Sequence, residues 1–235
     1  MVFNQEQIEE IIGVKFSNPA ILKTAFTHRS YINEHRKAKL EHNERLEFLG
    51  DAVLELVVTD YLYRNYQNPE GELTSWRSAL VKTESLAMLA EKLDIGRFLL
   101  MSRGEAKTGG RTRQALLANL VEATIGAIYL ESGYEACKDF IEENLVSNLQ
   151  EIIKTGAYID AKSHFQELSQ EKIGSTPSYK VLEETGPDHD KTFKVGVFLG
   201  KTKYGEGSGS SKQAAQQEAA LSGLEKLKSI KKNNK

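Results

Sequence analysis

The chain has 235 residues, 40% of them hydrophobic and 27% charged, which is typical of a globular protein with room for one large domain or two ordinary ones. Its single cysteine, Cys137, excludes an intramolecular disulfide, a cysteine-based zinc site and a dithiol redox pair, and we expect a buried structural thiol. The net charge of −2 by itself argues neither for nor against a polyanionic partner. It is unevenly distributed, with 13 Lys and Arg against 10 Asp and Glu from Gly156 onward, and 18 against 23 before it.

The sequence shows no membrane or secretion signal. The first ten residues lack the basic and apolar regions of a secretory signal, so we expect a cytoplasmic protein. The most apolar run, Ala115–Leu130, is too short for a membrane span and contains Asn119 and Glu122. We therefore predict a buried helix there and no membrane partner.

Helical periodicity dominates the chain up to Leu149, with no convincing strand alternation. Asn18 and Pro19 fit the N-cap and the first position of a helix. The predicted helices are Glu6–Ile12, a second from Pro19 to about Tyr31, a third from the end of the loop Asn33–His42 to about Tyr66, Glu72–Val81, Glu84–Leu93, Gln114–Glu131 and Tyr134–Ile153. The first domain is therefore predicted to be all-helical.

The stretch Asn43–Val57 combines acidic and apolar residues on one helix. At about 100° per residue, one narrow sector holds Glu44, Glu47, Asp51 and Glu55, and the opposite side holds Leu46, Leu49, Val53, Leu56 and Val57. Gly50 lies mid-helix, where glycine costs about 1 kcal/mol relative to alanine, which indicates tight packing against a neighbour.

Two interpretations of the acidic sector are open. Acidic residues at this spacing usually form a solvated face, whereas carboxylates on a largely buried helix could bind a hard cation such as Mg²⁺. Phe48 points nearly the same way as the acids, which favours a face covered by another molecule such as a second subunit.

Two further regions could contribute to a site. Ser102–Arg113 is glycine-rich and basic, and we expect a flexible loop that is either a plain connection or a functional one. It leads into the predicted buried helix, where Asn119 and Glu122 lie three residues apart on one face and Gly126 permits close approach to a neighbour. The two helices could jointly form a metal-binding box. His28 has no partner His or Cys in view, so a hydrogen-bonded structural role is favoured over metal binding.

The second half has a different pattern, in the order αβββα. A helix is predicted over Asp160–Lys172, with Asp160 as its cap, and a final helix extends from Lys212 to about Lys228. The three predicted strands between them are Pro177–Glu184, Thr192–Leu199 and Lys201–Gly205, joined by the turns Thr185–Asp190 and Gly200.

Asn43–Asp51, which reads Asn-Glu-Arg-Leu-Glu-Phe-Leu-Gly-Asp, resembles the signature of the bacterial ribonuclease III family. The segments Thr27–Tyr31, Gly104–Arg111 and Glu122–Leu130 match as well, and the αβββα half resembles a double-stranded RNA-binding domain. The resemblance implies a multidomain α and α+β protein. Residues 1–153 would be the all-helical endonuclease and dimerisation domain, 154–159 a linker, 160–229 the RNA-binding domain and 230–235 a basic tail.

The resemblance also implies a function and a set of site residues. Family members are homodimeric endoribonucleases that act in rRNA and mRNA processing. They cut double-stranded RNA with Mg²⁺, for which Mn²⁺ could substitute. The products carry 5′-phosphate and 3′-hydroxyl ends with two-nucleotide 3′ overhangs. By position, Glu47, Asp51, Asn119 and Glu122 would bind the metal, with Glu44 catalytic beside it and Glu70 accessory. Phe48 would pack into the partner subunit.

Asn119 departs from the family pattern, which usually has Asp there. An amide oxygen can bind Mg²⁺ but adds no negative charge, so we expect weaker metal binding or greater dependence on Glu122. The alternative function is accordingly a weak or inactive protein that binds double-stranded RNA without cutting it.

The implied RNA contacts come from three parts of the second half. They are Gln166 and Glu167 on its first helix, Pro187 and His189 in the turn, and Lys212 and Gln213 at the start of the last helix. Gln166 could instead be plain surface, and Pro187 plain turn. Family members commonly carry more Lys and Arg around Lys212, so the sequence predicts weaker phosphate contact and a shallower salt dependence.

Overall fold

The structure is a computed structural model that describes residues 3–35, 40–156, 161–187 and 191–228. The chain divides into two compact units, Met1–Tyr158 and Ile159–Lys235. Each unit has its own buried hydrophobic cluster and is described by itself. The boundary between the units falls inside the segment 154–159.

The first unit is helical, as predicted. Its helices are α1 (Gln5–Ile12), α2 (Pro19–Ala25), α3 (Arg29–Glu34), α4 (Glu44–Asn65), α5 (Glu70–Val81), α6 (Thr83–Lys92), α7 (Arg103–Lys107), α8 (Gln114–Asn144) and α9 (Leu149–Thr155). Short 3₁₀ turns lie at Ile95–Phe98, Gly110–Thr112 and Val146–Asn148. Asn18 caps α2 as expected, because its Oδ1 accepts the backbone N–H of Ala20 at 3.1 Å.

The last helical region of this unit is more broken than predicted. At Gly133 the backbone takes φ 78° and ψ −168°, so α8 is interrupted by a kink between the two predicted helices. The predicted helix Tyr134–Ile153 is itself wrong as one element, because a 3₁₀ turn at Val146–Asn148 separates the end of α8 from α9. Buried Val146 and Leu149 hold this turn against the core.

The close crossing of α4 and α8 organises the core. A Cβ at Gly50 would lie 1.7 Å from the carbonyl oxygen of Glu122, and one at Gly126 would lie 2.2 Å from that of Leu46. The two helices therefore touch backbone to backbone, and Leu46, Val53 and Val57 fill the space on either side. This confirms the tight packing expected at Gly50 and Gly126.

Helix α8 is the core helix that the sequence predicts. Judged by length and composition alone, the helical stretch Gln114–Thr155 could cross a membrane, although 56% of its most apolar window is buried inside the protein. Such burial is typical of a core helix, and the candidate is weak evidence for a span.

The second unit has the predicted αβββα order: α10 (Ala161–Ile173), β1 (Pro177–Thr185), β2 (Thr192–Leu199), β3 (Thr202–Gly209) and α11 (Lys212–Lys228). The strands form an antiparallel sheet in the order β1-β2-β3. Its core is built by Phe165 of α10, Val195 and Val197 of β2, and three alanines of α11, Ala215, Ala219 and Ala220. The predicted cap Asp160 lies outside the described residues.

Strand β3 extends four residues beyond its predicted end at Gly205. A Cβ at Gly205 would lie 2.4 Å from the backbone nitrogen of Gly223, and one at Gly207 would lie 2.3 Å from that of Ala219. These glycines therefore admit α11 onto the strand. The predicted strand ends too early because glycine is unfavourable in a strand unless another backbone approaches it closely, as α11 does here.

We expect Gly50→Ala to lower the free energy of unfolding by about 3 kcal/mol, because the added methyl group meets backbone that cannot move aside. Urea denaturation followed by circular dichroism would measure the change. Gly71→Ala is the matched control, since Gly71 lies in α5 with nothing within 4 Å of an added Cβ, and it should be neutral or stabilising by up to about 1 kcal/mol. Equal effects of the two substitutions would contradict the close crossing.

Candidate metal and RNA-binding sites

The crossing of α4 and α8 brings together four of the predicted site residues. Gly50 lies against Glu122, so Glu47 and Asp51 of α4 face Asn119 and Glu122 of α8. The Asn119 amide is close enough to the Glu47 carboxylate to lower its pKa by hydrogen bonding. The site is built from two rigid helices, so its geometry depends on the crossing.

Burial and neighbouring carboxylates raise the pKa values of Glu47 and Glu122 in this cluster. Burial, followed by the charges of Asp51 and Glu47, raises the pKa of Glu122 to about 7. The pKa of Glu47 is also raised, first by burial and then by Glu44 and Asp51, while the Asn119 hydrogen bond opposes the rise. Within the part of the chain that the structure describes, no cation contributes to the pKa of either group, so no cation there offsets the negative charge of Glu47 and Glu122.

Glu44 has a different environment, because it is paired with basic groups. Its carboxylate lies 3.4 Å from Arg29 Nη1 and 3.8 Å from His42 Nδ1. His28 caps α3, since its Nδ1 accepts the backbone N–H of Ser30 at 3.3 Å and lies 2.7 Å from the Ser30 hydroxyl. This confirms the structural role predicted for His28, whose pKa is lowered chiefly by burial.

Glu55 and Glu70 are not part of the cluster within one chain. Glu55 is paired with Arg77 of α5, with 3.0 Å between Oε2 and Nε. Glu70 starts α5, beyond the far end of α4, in a cleft that Tyr63 also lines. The 18 residues of helix between Glu47 and Asn65 correspond to about 27 Å, so α4 separates the two ends.

The residues fit a hard divalent cation by their donor chemistry. Glu47, Asp51, Asn119 and Glu122 offer oxygen donors of the kind that Mg²⁺ prefers. Over residues 3–35, 40–156, 161–187 and 191–228, no three His, Cys, Asp or Glu side chains form a ready-made metal cage. Because these side chains do not already converge on one point, they would have to rotate toward an ion in order to bind it.

The acidic face of α4 is at the surface of the single chain, so the predicted burial of this helix is only partly correct. Asp51 is exposed, Glu47 and Glu122 are half-buried, and Phe48 is 80% exposed. Leu56, predicted on the buried side, is 57% exposed. Beside Phe48 lies a groove of about 1230 Å³ whose apolar lining includes Leu49 and Leu130.

The residues predicted to contact RNA lie on exposed parts of the second unit. Gln166 and Glu167 are exposed on α10, Pro187 is exposed after β1, and Lys212 and Gln213 form the exposed start of α11. His189 lies outside the described residues. Lys212 is not free, because its Nζ lies 3.0 Å from Glu184 Oε1.

Comparison with known proteins decides the family. The model described as "Ribonuclease-III-like" matches residues 18–149, and "Double-stranded RNA binding motif" matches residues 161–227. A protein named Ribonuclease 3 from Oceanobacillus iheyensis is 46% identical over 94% of this chain and 96% of its own length; one from Carboxydothermus hydrogenoformans is 46% identical over 97% of both.

The chain belongs to the ribonuclease III family. It is a ribonuclease. Two solved structures of the nuclease domain of ribonuclease III from Campylobacter jejuni resemble it, at 42% identity and TM-score 0.55 over 60% of this chain, and at 40% and 0.56 over 62%. The matched regions span 98% and 95% of those solved chains. The first structure is described as showing structural flexibility in a region involved in dimer formation.

The basic loop of this ribonuclease is ordered, contrary to the flexible loop expected from its glycines. Ser102 caps α7, and Arg113 pairs with Glu105 at 2.5 Å. Arg111 donates to the backbone carbonyls of Gly96, Arg97 and Leu99 at 3.2, 3.1 and 2.7 Å. The loop is thereby fixed to the segment before it, directly ahead of α8.

Sequence reasoning missed the side chains that contact two predicted site residues of this ribonuclease, Glu44 and Lys212. Arg29 and His42 beside Glu44 come from separate segments, and their pairing depends on the tertiary fold. Glu184 and Phe193, which contact Lys212, lie at the ends of β1 and β2. Their position on either side of the predicted turn was the one available signal.

In EDTA, we expect the free energy of unfolding to fall by about 1–3 kcal/mol as the pH rises from about 4.5 to about 7. The pKa of Glu122 is higher in the folded state, so the folded protein binds a proton that the unfolded chain has lost, and this stability disappears once both states are ionised. Urea titrations at several pH values would measure the effect. Glu122→Gln should remove most of this decline, and an unchanged pH dependence in that variant would contradict the raised pKa.

Proposed function

We propose that the protein is a Mg²⁺-dependent endoribonuclease of the cytoplasm that cuts double-stranded RNA in rRNA and mRNA processing. The products would be 5′-phosphate and 3′-hydroxyl ends with two-nucleotide 3′ overhangs. The observation that carries the proposal is the uncompensated cluster of Glu47, Asp51 and Glu122 at the crossing of α4 and α8. Its support is the 46% identity to proteins named Ribonuclease 3.

Four side chains would hold the metal: Glu47, Asp51, Glu122 and Asn119 through its amide oxygen. Bound Mg²⁺, or Mn²⁺ in its place, supplies an activated water, orientation of the scissile phosphate and stabilisation of the charge that develops in an in-line displacement. Asn119 would also orient Glu47 through its amide hydrogen bond. Glu44, already paired with Arg29, would serve as an accessory acid beside the cluster.

The two units would divide the work. We assign nuclease activity and dimerisation to residues 1–153, and RNA binding to residues 160–229, with 154–159 as linker and 230–235 as a basic tail. Gln166 and Glu167 would face one minor groove, Pro187 and His189 the next, and Lys212 and Gln213 the phosphates between them. The start of α11 adds the partial positive charge of a helix N-terminus.

The protein would act as a homodimer through the exposed face of α4. Phe48, Leu56 and Tyr63 lie along it with 80%, 57% and 76% of their surface exposed, and such a stripe is typical of an interface. Phe48 of one subunit would enter the groove beside Phe48 of the other. One site in each subunit would cut one strand, and the dimer would set the overhang. Glu70 would then be near a site only through this assembly.

The alternative, a protein that binds double-stranded RNA without cutting it, rests on Asn119 alone. The comparisons do not support it, since the relatives are named as ribonucleases.

We expect a long RNA duplex to be cut with Mg²⁺ and to remain intact in EDTA. Asp51→Asn and Glu122→Gln should lower the rate at least about a hundredfold, or ~2.7 kcal/mol of transition-state stabilisation, because each removes a ligand charge. Product sizing on a denaturing gel measures the rate. Glu91→Gln, an exposed carboxylate of α6 outside the cluster, is the control and should cut normally.

Asn119→Asp separates the two functions. If the enzyme is active as proposed, the added carboxylate should tighten Mg²⁺ binding and change the rate by no more than about tenfold. Undetectable cutting by the natural chain, with activity restored by Asn119→Asp and the duplex still shifted on a native gel, would establish the non-cutting binder instead.

Phe48→Ala should weaken the dimer by about 2–4 kcal/mol, because a large aromatic anchor in a groove usually dominates an interface. Sedimentation equilibrium over a range of protein concentrations would measure the dissociation constant. Met88→Ala is the control, since Met88 is 67% exposed on α6 and away from the α4 stripe. A dimer unaffected by Phe48→Ala would contradict this interface.

A further inference from the structure

Lys212 is held between two side chains at the junction of the sheet and α11. Its Nζ lies 3.0 Å from Glu184 Oε1 and 5.4 Å from the centre of the Phe193 ring, in a cation–π contact. Glu184 and Phe193 are paired across β1 and β2, next to the turn that joins these strands. The predicted phosphate contact is therefore already occupied by a carboxylate.

These two neighbours have opposite consequences for RNA binding. The Phe193 ring restrains the lysine and brings no charge, so it leaves the ammonium group available to a phosphate. Glu184 uses one ammonium donor, and its negative charge would stand beside any phosphate that approached. The ring contact does not require the carboxylate, whose charge would oppose a phosphate approaching Lys212.

We propose that Glu184 is an internal competitor for Lys212, which RNA phosphate must displace before this contact forms. The inference rests on the proposed RNA-binding role of the second unit. Both partners are accessible, with 56% of the Lys212 side chain and 38% of the Glu184 side chain exposed, so the pair can open without unfolding. The competition makes binding by Lys212 depend on contacts made elsewhere along the duplex.

The test measures affinity for an RNA duplex of about 20 base pairs, which is long enough for one such domain, in EDTA with the full chain. Glu184→Gln should bind about two- to fivefold more tightly at low salt, the value of an exposed ion pair. The plot of log affinity against log salt should steepen by up to about 0.9, one additional phosphate contact. A merely structural role for Glu184 would not steepen this slope.

A double-mutant cycle with Lys212→Gln shows whether the effect passes through Lys212. If it does, Glu184→Gln should change nothing once Lys212 is replaced. An equal gain in both backgrounds would overturn the proposal, because it would indicate general repulsion by the carboxylate. No gain, or weaker binding by Glu184→Gln in the natural background, would overturn it as well.

Glu206→Gln is the matched control in the same unit. Glu206 pairs with Lys194 at 3.2 Å and Lys203 at 2.6 Å. It stands opposite Gly196, on the face of the sheet away from buried Val195 and Val197. The substitution should leave affinity and salt slope unchanged, and a gain equal to that of Glu184→Gln would overturn the local competition. A natural chain that binds no duplex would remove the proposed RNA-binding role itself.

Discussion

Backbone contact between α4 and α8 is the constraint on which the nuclease unit depends. Gly50 and Gly126 let the two helices meet without side chains between them, so the carbonyl of Glu122 lies where a Cβ of residue 50 would be. This proximity brings Glu47 and Asp51 within electrostatic reach of Glu122. The stability of the fold and the charge of the site are therefore set by one contact.

Charge compensation distinguishes the parts of the acidic face. Glu44 and Glu55 have arginine partners, whereas the influences on Glu47 and Glu122 are burial, other carboxylates and one amide. A carboxylate at position 119 would add a fourth negative charge and more repulsion. The Asn119 amide instead favours the ionised form of Glu47 by hydrogen bonding. Partly buried carboxylates without a cation raise the free energy of the folded protein, and a bound cation would offset that cost.

The sequence predicts those features that local periodicity and residue type determine. The helical character of the first unit, the order of the second and the tight packing at Gly50 follow from hydrophobic spacing and from the cost of a mid-helix glycine. Two predicted helices are wrong as single elements: the one from Pro19 to about Tyr31 is α2 and α3, and Tyr134–Ile153 is broken before α9. The structure of the basic loop Ser102–Arg113 does not follow from periodicity, because Arg111 is held by backbone carbonyls twelve to fifteen residues earlier in the chain. The predicted third strand is too short because the glycines of β3 permit close packing against α11, which is a contact of the folded unit.

For the site, the sequence alone indicates the acidic sector and, by residue type, the residues that face it, but it does not indicate their exposure or their charged partners. Whether Leu56 is buried depends on which neighbours the helix meets, and Glu184 pairs with Lys212 across the strand ends. Such pairings arise from tertiary contacts between segments far apart in the chain. No periodicity encodes them.

Gly50 and Gly133 both disfavour replacement by an ordinary residue, but for opposite reasons. Nothing lies within 4 Å of a Cβ at Gly133, and its constraint is the backbone conformation, φ 78° and ψ −168°, which is the mirror image of an extended L-residue. Chirality, not volume, limits this position. Residue 133 is therefore limited by the handedness of its backbone, whereas residue 50 is limited by the space between two helices.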